Sequence, residues 1–325
     1  MQINPQLQKQ MNPARTTRNH LIHWTRIGVA TASLALMLDA TAAPSTAEYT
    51  TRVVAKGLSR PTGIVAGGDE QIYFTEVPNP GVPGAGNSVK VLDLDENQIT
   101  TLHTGEPEPT NLALDRKGNL YWTCKSAGVI LEQDGKGNTT KLLMGLAKPS
   151  GIAIDGRGNV YFTQIPTPGL PGPKGGTNSV AVFDGTATTV LHEGEPEPTD
   201  IASGRRGDIY WTCKSAGVIL EQDIDGKTTV LLSGLNKPVG IALNRKGTRL
   251  YWTEVPTPGI GGTAGGLNKV WEINLRTKVK TLVHSGDPEP TDVTVDRDGA
   301  IYWTCSSAGV IVEARSVRRR DRDDD

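Results

Sequence analysis

This chain of 325 residues contains few cysteines and few aromatic residues, and neither sign of charge is in clear excess. Three cysteines cannot form the disulfide framework that is typical of small secreted domains. The 34 lysine and arginine residues balance 35 aspartate and glutamate residues, so the net charge of −1 gives no reason to expect a nucleic-acid partner. With 36% hydrophobic and 21% charged residues, the composition is that of an ordinary globular protein.

Long apolar runs are also missing, because the longest one covers only residues 27–38 and ends at Asp39. It falls short of the roughly 20 residues that a helix needs to cross a bilayer, so we expect no membrane span. Four lysine or arginine residues precede the run, and the small residues 40–42 (ATA) follow it. This pattern is typical of a secretory signal peptide. We therefore predict a signal peptide over residues 1–43 and a secreted or periplasmic protein.

Internal repeats are the strongest feature of the sequence, and they recur in two kinds. The first kind comprises WTCKSAGVILEQD at 122–134 and 211–223 with an altered copy from 303, and GEPEPT at 105–110 and 194–199 with GDPEPT at 286–291. The second kind, more divergent, comprises IYFTE at 72–76, VYFTQ at 160–164 and LYWTE at 250–254. The chain therefore contains six modules, arranged as three pairs.

Each module reads as four short strands separated by glycine-, aspartate- and asparagine-rich turns, as in residues 151–155, 160–163, 179–184 and 188–192. Four strands in 40–50 residues, repeated six times, predict an all-β, six-bladed β-propeller over residues 44–314. The sixth module lacks a fourth strand, and residues 51–56 (TRVVAK) are expected to supply it and to close the ring. Residues 315–325 read as a charged, disordered tail.

Two motifs resemble known propeller families. Residues 149–163 (PSGIAIDGRGNVYFT) resemble an NHL repeat, and the YWT segments resemble the YWTD propellers of lipoprotein receptors, with cysteine in place of the final aspartate. Both families share a six-bladed plan with the senescence-marker/gluconolactonase group. The GNLYWT-type strands also resemble streptogramin lyase, a seven-bladed family with catalytic histidines. These families include adhesion modules, hydrolases and lyases, so the resemblance implies a fold and selects no single activity.

Candidate site residues cluster in the three loops that join a fourth strand to the next first strand. These loops carry the acid–proline pairs of Glu106, Glu108, Glu195, Glu197, Asp287 and Glu289. They lead to Asn111, Asp200 and Asp292 at the starts of first strands, where the intervening modules have Gly63, Gly151 and Gly240.

Such a ring of oxygen ligands could hold calcium or magnesium at the channel mouth. The resemblance to gluconolactonases likewise implies a divalent metal in this region, held by Asp, Asn and Glu side chains. The alternative is that these residues satisfy backbone N–H groups in turns, while the loop carboxylates are solvated.

Three longer loops rich in proline and glycine, at residues 77–86, 165–176 and 255–266, are expected on the same face. Long loops on a rigid scaffold usually carry recognition, which is our prediction here.

Histidine and cysteine also recur in threefold-equivalent positions, at His103, His192 and His284 and at Cys124, Cys213 and Cys305. Neighbouring strands of a blade lie about 4.8 Å apart, so the ends of the second and fourth strands lie well away from the propeller axis. The copies in different modules are therefore too distant from one another to share a disulfide or a metal ion. We predict that each cysteine is a small buried residue, and a local Cys–His pair within one unit is the alternative. The aromatic pairs that begin at Tyr121, Tyr210 and Tyr302 are predicted to pack blade against blade.

Threefold repetition of the same residues favours a binding protein over an enzyme, because catalysis needs unlike groups around one substrate. The leading prediction is an exported, monomeric, non-catalytic propeller that binds a protein, glycan or small ligand on its acidic, Pro/Gly-loop face. The alternative is a metal-dependent lactonase, other hydrolase or lyase, with the cation at Asn111, Asp200 and Asp292 and with Glu106, Glu195 or Asp287 as base. A structural envelope component is the third possibility.

Overall fold

The computed structural model describes residues 49–317 except 69, 79, 81–85, 167–177, 205 and 257–267. The predicted signal peptide, most of the three Pro/Gly loops and residues 318–325 of the predicted tail lie outside the described residues. Within the described part, no helix is long and apolar enough to cross a membrane.

In the described residues, twenty-four strands form six four-stranded antiparallel sheets, which are the blades of a propeller. Blade one contains β2 (Pro61–Ala66), β3 (Gln71–Glu76), β4 (Ser88–Asp93) and β5 (Gln98–Thr104). Blade two contains β6 (Pro109–Leu114), β7 (Leu120–Cys124), β8 (Val129–Gln133) and β9 (Thr139–Leu143). Blade three contains β10 (Pro149–Ile154), β11 (Val160–Gln164), β12 (Ser179–Phe183) and β13 (Thr188–Glu193).

The second half of the ring repeats this order. Blade four contains β14 (Pro198–Ser203), β15 (Ile209–Cys213), β16 (Val218–Gln222) and β17 (Thr228–Leu232). Blade five contains β18 (Pro238–Leu243), β19 (Arg249–Glu254), β20 (Lys269–Asn274) and β21 (Lys280–Ser285). Blade six contains β22 (Pro290–Val295), β23 (Ile301–Cys305), β24 (Val310–Ser316) and β1 (Tyr49–Lys56). The all-β, six-bladed architecture predicted from the repeats is confirmed.

Strand β1 completes the last blade, as predicted, by pairing antiparallel with β24 from Tyr49 opposite Ser316 to Lys56 opposite Val310. It begins two residues earlier than expected, and β24 runs past the predicted start of the tail. Arg52 on β1 hydrogen-bonds to the buried carboxylate of Glu313 on β24, which ties the two ends of the chain together. The closure therefore rests on an ion pair as well as on the strand ladder.

The threonine of each YWT or YFT segment hydrogen-bonds to the first strand of its own blade. In blades one to five the inner strand has a register shift just after its first proline, which leaves a backbone N–H without a partner in the ladder. The buried Thr123 Oγ1 accepts the N–H of Asn111 at 3.2 Å, and Thr163 Oγ1 accepts that of Gly151 at 2.8 Å. The same bond recurs in blades one, four and five. The repeated threonine thus holds the third residue of the inner strand in place.

The core consists of apolar layers between neighbouring blades. Trp122, Trp211, Trp252 and Trp303 are among the largest fully buried side chains, and the tyrosines before them are buried as well. Trp122 packs in one cluster with Val89 of blade one and Leu112 of its own blade. The prediction that the repeated aromatic pairs pack blade against blade is confirmed.

Candidate functional site

The three polar residues predicted at the channel mouth meet on the propeller axis. Asn111, Asp200 and Asp292 are each the third residue of an inner strand and are 9%, 4% and 4% exposed. Asn111 Nδ2 donates a hydrogen bond to Asp200 Oδ1 at 2.8 Å, and Asp200 is hydrogen-bonded to Asp292. We call these three residues the axial ring.

The three glycines between them make this contact possible. A Cβ atom at Gly151 would lie 2.5 Å from the Cα of Asp200, and one at Gly240 would lie 2.5 Å from the Cα of Asp292. At Gly63 the distance to the Cα of Asn111 would be 2.7 Å. Glycine therefore alternates with Asn or Asp because the inner strands approach too closely for any other side chain.

Both carboxyl groups of the axial ring already accept backbone N–H groups. Asp200 Oδ1 accepts from Ile201 at 2.7 Å, and Asp200 Oδ2 accepts from Ile241 on the next blade at 2.8 Å. Asp292 does the same with Val293 and, across the closure of the ring, with Ile64, both at 2.8 Å. These side chains therefore connect blades four to five and six to one through their inner strands.

Burial changes the titration of this pair. Burial raises the pKa of Asp200 to about 7, against hydrogen bonds from backbone N–H groups that lower it. Burial, followed by the nearby Asp200 charge, raises the pKa of Asp292 well above its ordinary value. Two carboxyl groups in contact titrate as a unit, so the ionisation of either one disfavours the ionisation of the other.

The axial ring does not fit a hard cation well. Calcium and magnesium need several free oxygen ligands, whereas these carboxyl oxygens already accept backbone N–H groups. Among the described residues, no group of three or more His, Cys, Asp or Glu side chains is arranged to hold a metal ion. The bonds favour the alternative of backbone capping, and the metal site at Asn111, Asp200 and Asp292 stays a prediction.

A channel of about 160 Å³ runs along the axis from the ring towards the opposite face. Small side chains such as Ala113, Ala153 and Ala202 line its walls. At its far end, Leu114 also lines a second cavity of about 140 Å³, which is formed by the turns between first and second strands. The described channel thus leads away from the acidic loops.

The first acid of each acidic loop caps a tryptophan. Glu106 Oε2 accepts a hydrogen bond from Trp122 Nε1 at 3.4 Å and lies 3.5 Å from Cys124 Sγ. His103 Nδ1 lies 3.8 Å from Glu106 Oε1, and its ring lies over Trp122 at 4.8 Å between centroids. The equivalent groups are His192, Glu195, Trp211 and Cys213 in the second copy and His284, Asp287, Trp303 and Cys305 in the third.

All three cysteines are free and buried, as predicted. Burial raises the pKa of each thiol far above its ordinary value, and the neighbouring carboxylate adds to this rise. In the local Cys–His alternative the two side chains would bind each other. Instead, Cys124 and His103 both face Glu106, so the carboxylate lies between them.

The second acid of each acidic loop is also bound within its own blade. Glu108 has a left-handed φ of 60° and precedes the inner-strand proline. Its carboxylate hydrogen-bonds to Ser126, and its carbonyl accepts the N–H of Lys125 at 3.0 Å. Glu197 with Ser215 and Glu289 with Ser307 repeat the first bond. All six predicted acids lie on one face, and each carboxylate already has a partner within the protein.

A ring of alternating charge occupies the position just before the first-strand proline of each blade, and it was not predicted from the sequence. Blades one, three and five have Arg60, Lys148 and Lys237 there, with φ of 53°, 53° and 52°. These three side chains are exposed, whereas Glu108 and Glu197 are buried. The signal was available, because the residue before the first-strand proline alternates in sign along all six modules.

No protein-family model and no curated protein matches this chain, whereas solved structures do. A gluconolactonase from Xanthomonas campestris is 13% identical with a TM-score of 0.63, over 82% of this chain and 90% of that one. Virginiamycin B lyase from Staphylococcus aureus is 18% identical with a TM-score of 0.55, over 83% and 89%. A chain of the nidogen/laminin complex is 21% identical with a TM-score of 0.55, over 68% and 83%. At these identities the likeness shows the propeller fold alone.

Proposed function

We propose that this chain is a secreted, non-catalytic propeller, built as three two-blade repeats, that binds a ligand on the face of its acidic and Pro/Gly loops. The observation that carries the proposal is the threefold identity of the side-chain contacts on that face. The same acid caps the same tryptophan beside the same cysteine in two copies, and aspartate replaces glutamate in the third.

An enzyme needs an acid, a base or a metal in different roles around one reacting bond. On this face each acid has the same hydrogen-bond partner in every copy, so no carboxylate is distinguished from the others. Equivalent sites suit a ligand that is itself repetitive, since several weak contacts then combine into strong binding. A protein, a glycan or a small ligand on the axis would meet this requirement.

The exposed cations are the side chains best placed to contact such a ligand. The acids are held inward by Trp and Ser partners, whereas Arg60, Lys148 and Lys237 project from rigid turns. Lys148 Nζ and Lys237 Nζ lie 3.5 Å and 3.3 Å from carbonyl oxygens at the bases of two Pro/Gly loops. The proposed face therefore presents its cations beside the loops.

The experiment compares the wild-type chain with R60Q/K148Q/K237Q on a glycan array and against candidate extracellular proteins. We expect a ligand whose binding the triple variant weakens at least tenfold. The control K56Q/K141Q/K280Q removes three exposed cations from outer strands and should leave binding unchanged. Equal binding by all three proteins would contradict the assignment of this face. Cell fractionation tests export, and a chain retained in the cytoplasm with residues 1–43 intact would contradict it.

A metal-dependent lactonase, other hydrolase or lyase is the second candidate. The channel that ends at Asp200 and Asp292 is the observation that favours it, although the N–H groups bound to these carboxyls disfavour a cation there. Metal analysis of the purified protein, followed by lactone hydrolysis with wild type and D200N, tests it. One tightly bound cation per chain together with turnover that D200N abolishes would replace the binding proposal. A metal-free protein without turnover would leave the binding proposal in place.

A further inference from the structure

The turns between first and second strands surround the far end of the channel, on the face opposite the acidic loops. In blade two this turn begins at Asp115, whose Oδ1 accepts the N–H groups of Lys117 at 2.8 Å and Asn119 at 2.9 Å. Gly118 completes it with a left-handed φ of 85°. Blade three repeats the bonds from Asp155. The aspartate is thus used inside the turn, and the residues after it point outward on a fixed backbone.

The outward positions of these turns in blades two to five carry basic residues. The exposed side chains are Arg116, Lys117, Arg157, Arg206, Arg245 and Lys246. We call these six residues the basic crescent. Among the described residues, none of them forms a salt bridge.

No exposed acid faces them from the described part of the same four turns. Asp115 and Asp208 are partly buried and Asp155 is buried. Blade four shows how strictly this arrangement is kept. Gly204 replaces the first aspartate of its turn, and a Cβ there would lie 2.1 Å from the carboxylate of Asp208. In blade four the buried side of the turn is therefore occupied by a carboxylate from the last residue of the turn, Asp208, and not from the first.

The basic crescent lies at the open end of the channel. Arg116 itself lines the cavity of about 140 Å³, together with Leu114, Ile154 and Ser203, which also line the channel. The remaining two blades limit the crescent, because Asp298 lies beside Arg297 on the corresponding turn of blade six, both exposed, and Glu70 is an exposed acid on that of blade one. The positive surface is therefore an arc across four blades and not a uniform ring.

We propose that the basic crescent binds an acidic polysaccharide, whose carboxylate or sulfate groups pair with successive arginine and lysine side chains. Arginine binds such groups in a bidentate manner, and repeated anionic groups match cations spread over four blades. The described residues of these turns include no aromatic side chain on which the bases of single-stranded nucleic acid could stack. They also include no exposed large apolar side chain that could insert into a bilayer.

The test measures binding of the purified full chain to polygalacturonate and to dextran sulfate, with neutral dextran as the uncharged control. We expect binding to one or both polyanions that weakens as salt rises from 50 to 300 mM, since such contacts are screened. The variant R116Q/K117Q/R245Q/K246Q should lose at least tenfold in affinity. The matched control K56Q/K141Q/K227Q/K280Q removes four exposed cations from outer strands and from the turn before one of them, and it should change affinity less than twofold.

Several results would overturn the proposal. Equal losses in both quadruple variants would show that net charge, and not the crescent, governs binding. Binding to neither polyanion would remove the site. Tighter, crescent-dependent binding to duplex DNA or to phosphatidylglycerol vesicles would reassign the surface to another partner. R60Q/K148Q/K237Q acts on the opposite face and should retain polyanion binding, which separates this inference from the proposed function.

Discussion

The carboxyl pair of Asp200 and Asp292 should make the stability of this propeller fall as the pH rises. Both groups have raised pKa values in the folded protein, that of Asp200 being about 7. Above about pH 4 the unfolded chain has lost these protons, whereas the folded chain still holds them. The contribution of the pair to stability is therefore full below about pH 4 and is lost as the pH rises from there through the folded pKa values.

The magnitude follows from the linkage between pKa and stability. Each pH unit over which the folded chain holds one more proton than the unfolded chain costs about 1.4 kcal/mol. For Asp200 alone, the interval from pH 5 to 7 therefore removes about 2 kcal/mol from the free energy of unfolding, since the group is half deprotonated at pH 7. Asp292 acts in the same direction, and so does His284, whose pKa is raised by its hydrogen bond to Asp287.

Urea unfolding followed by tryptophan fluorescence at pH 5, 6, 7 and 8 measures this dependence. D200N/D292N lacks both titrations, so its stability should vary far less across this range, although lost N–H acceptors cost it about 1–3 kcal/mol at every pH. N111D places a third carboxyl in the axial ring and should steepen the fall. H284Q measures the contribution of the histidine.

Equal slopes for wild type and D200N/D292N, or a wild-type stability that rose from pH 5 to pH 8, would contradict this expectation. Either result would mean that the pair is ionised and solvated in the folded protein. The axial ring would then be open to water, and its carboxylate oxygens could bind a cation.

Three other predictions concern the fold. Gly151→Ala should prevent folding or cost more than about 3 kcal/mol, because its Cβ would lie 2.5 Å from the neighbouring inner strand, whereas Gly135→Ala meets nothing within 4 Å and should be nearly neutral in thermal melts. Arg52→Ala should lower the free energy of unfolding by about 1 kcal/mol, because the Arg52 side chain is 66% exposed and Arg315 still pairs with buried Glu313, and an unchanged urea midpoint would contradict this role for the closure. The three buried thiols should react with Ellman's reagent only after denaturation, and rapid labelling of the native protein would show that the blades open.

The blade count, the closure and the approximate strand positions could be predicted from the amino-acid sequence alone. These properties are one-dimensional: a period of 40–50 residues predicts six blades, and a strand missing at one end but present at the other predicts the closure. The strands predicted for blade three agree with the structure to within two residues. Burial of the repeated tryptophans also follows from their alternation within short strands.

The hydrogen-bond partners of the polar residues, in contrast, can be read only from the tertiary structure. Asn111 and Asp200 are 89 residues apart and Asp292 and Ile64 are 228 apart, so their hydrogen bonds exist only once the ring has closed. Glu106 reads as a solvated loop acid, yet its carboxylate turns inward because a buried indole N–H needs an acceptor. Which charged side chains face water depends on such pairings between residues distant in sequence. The basic crescent is exposed because the turn aspartates bond to the backbone of their own turns, whereas the arginines and lysines beside them form no salt bridge among the described residues.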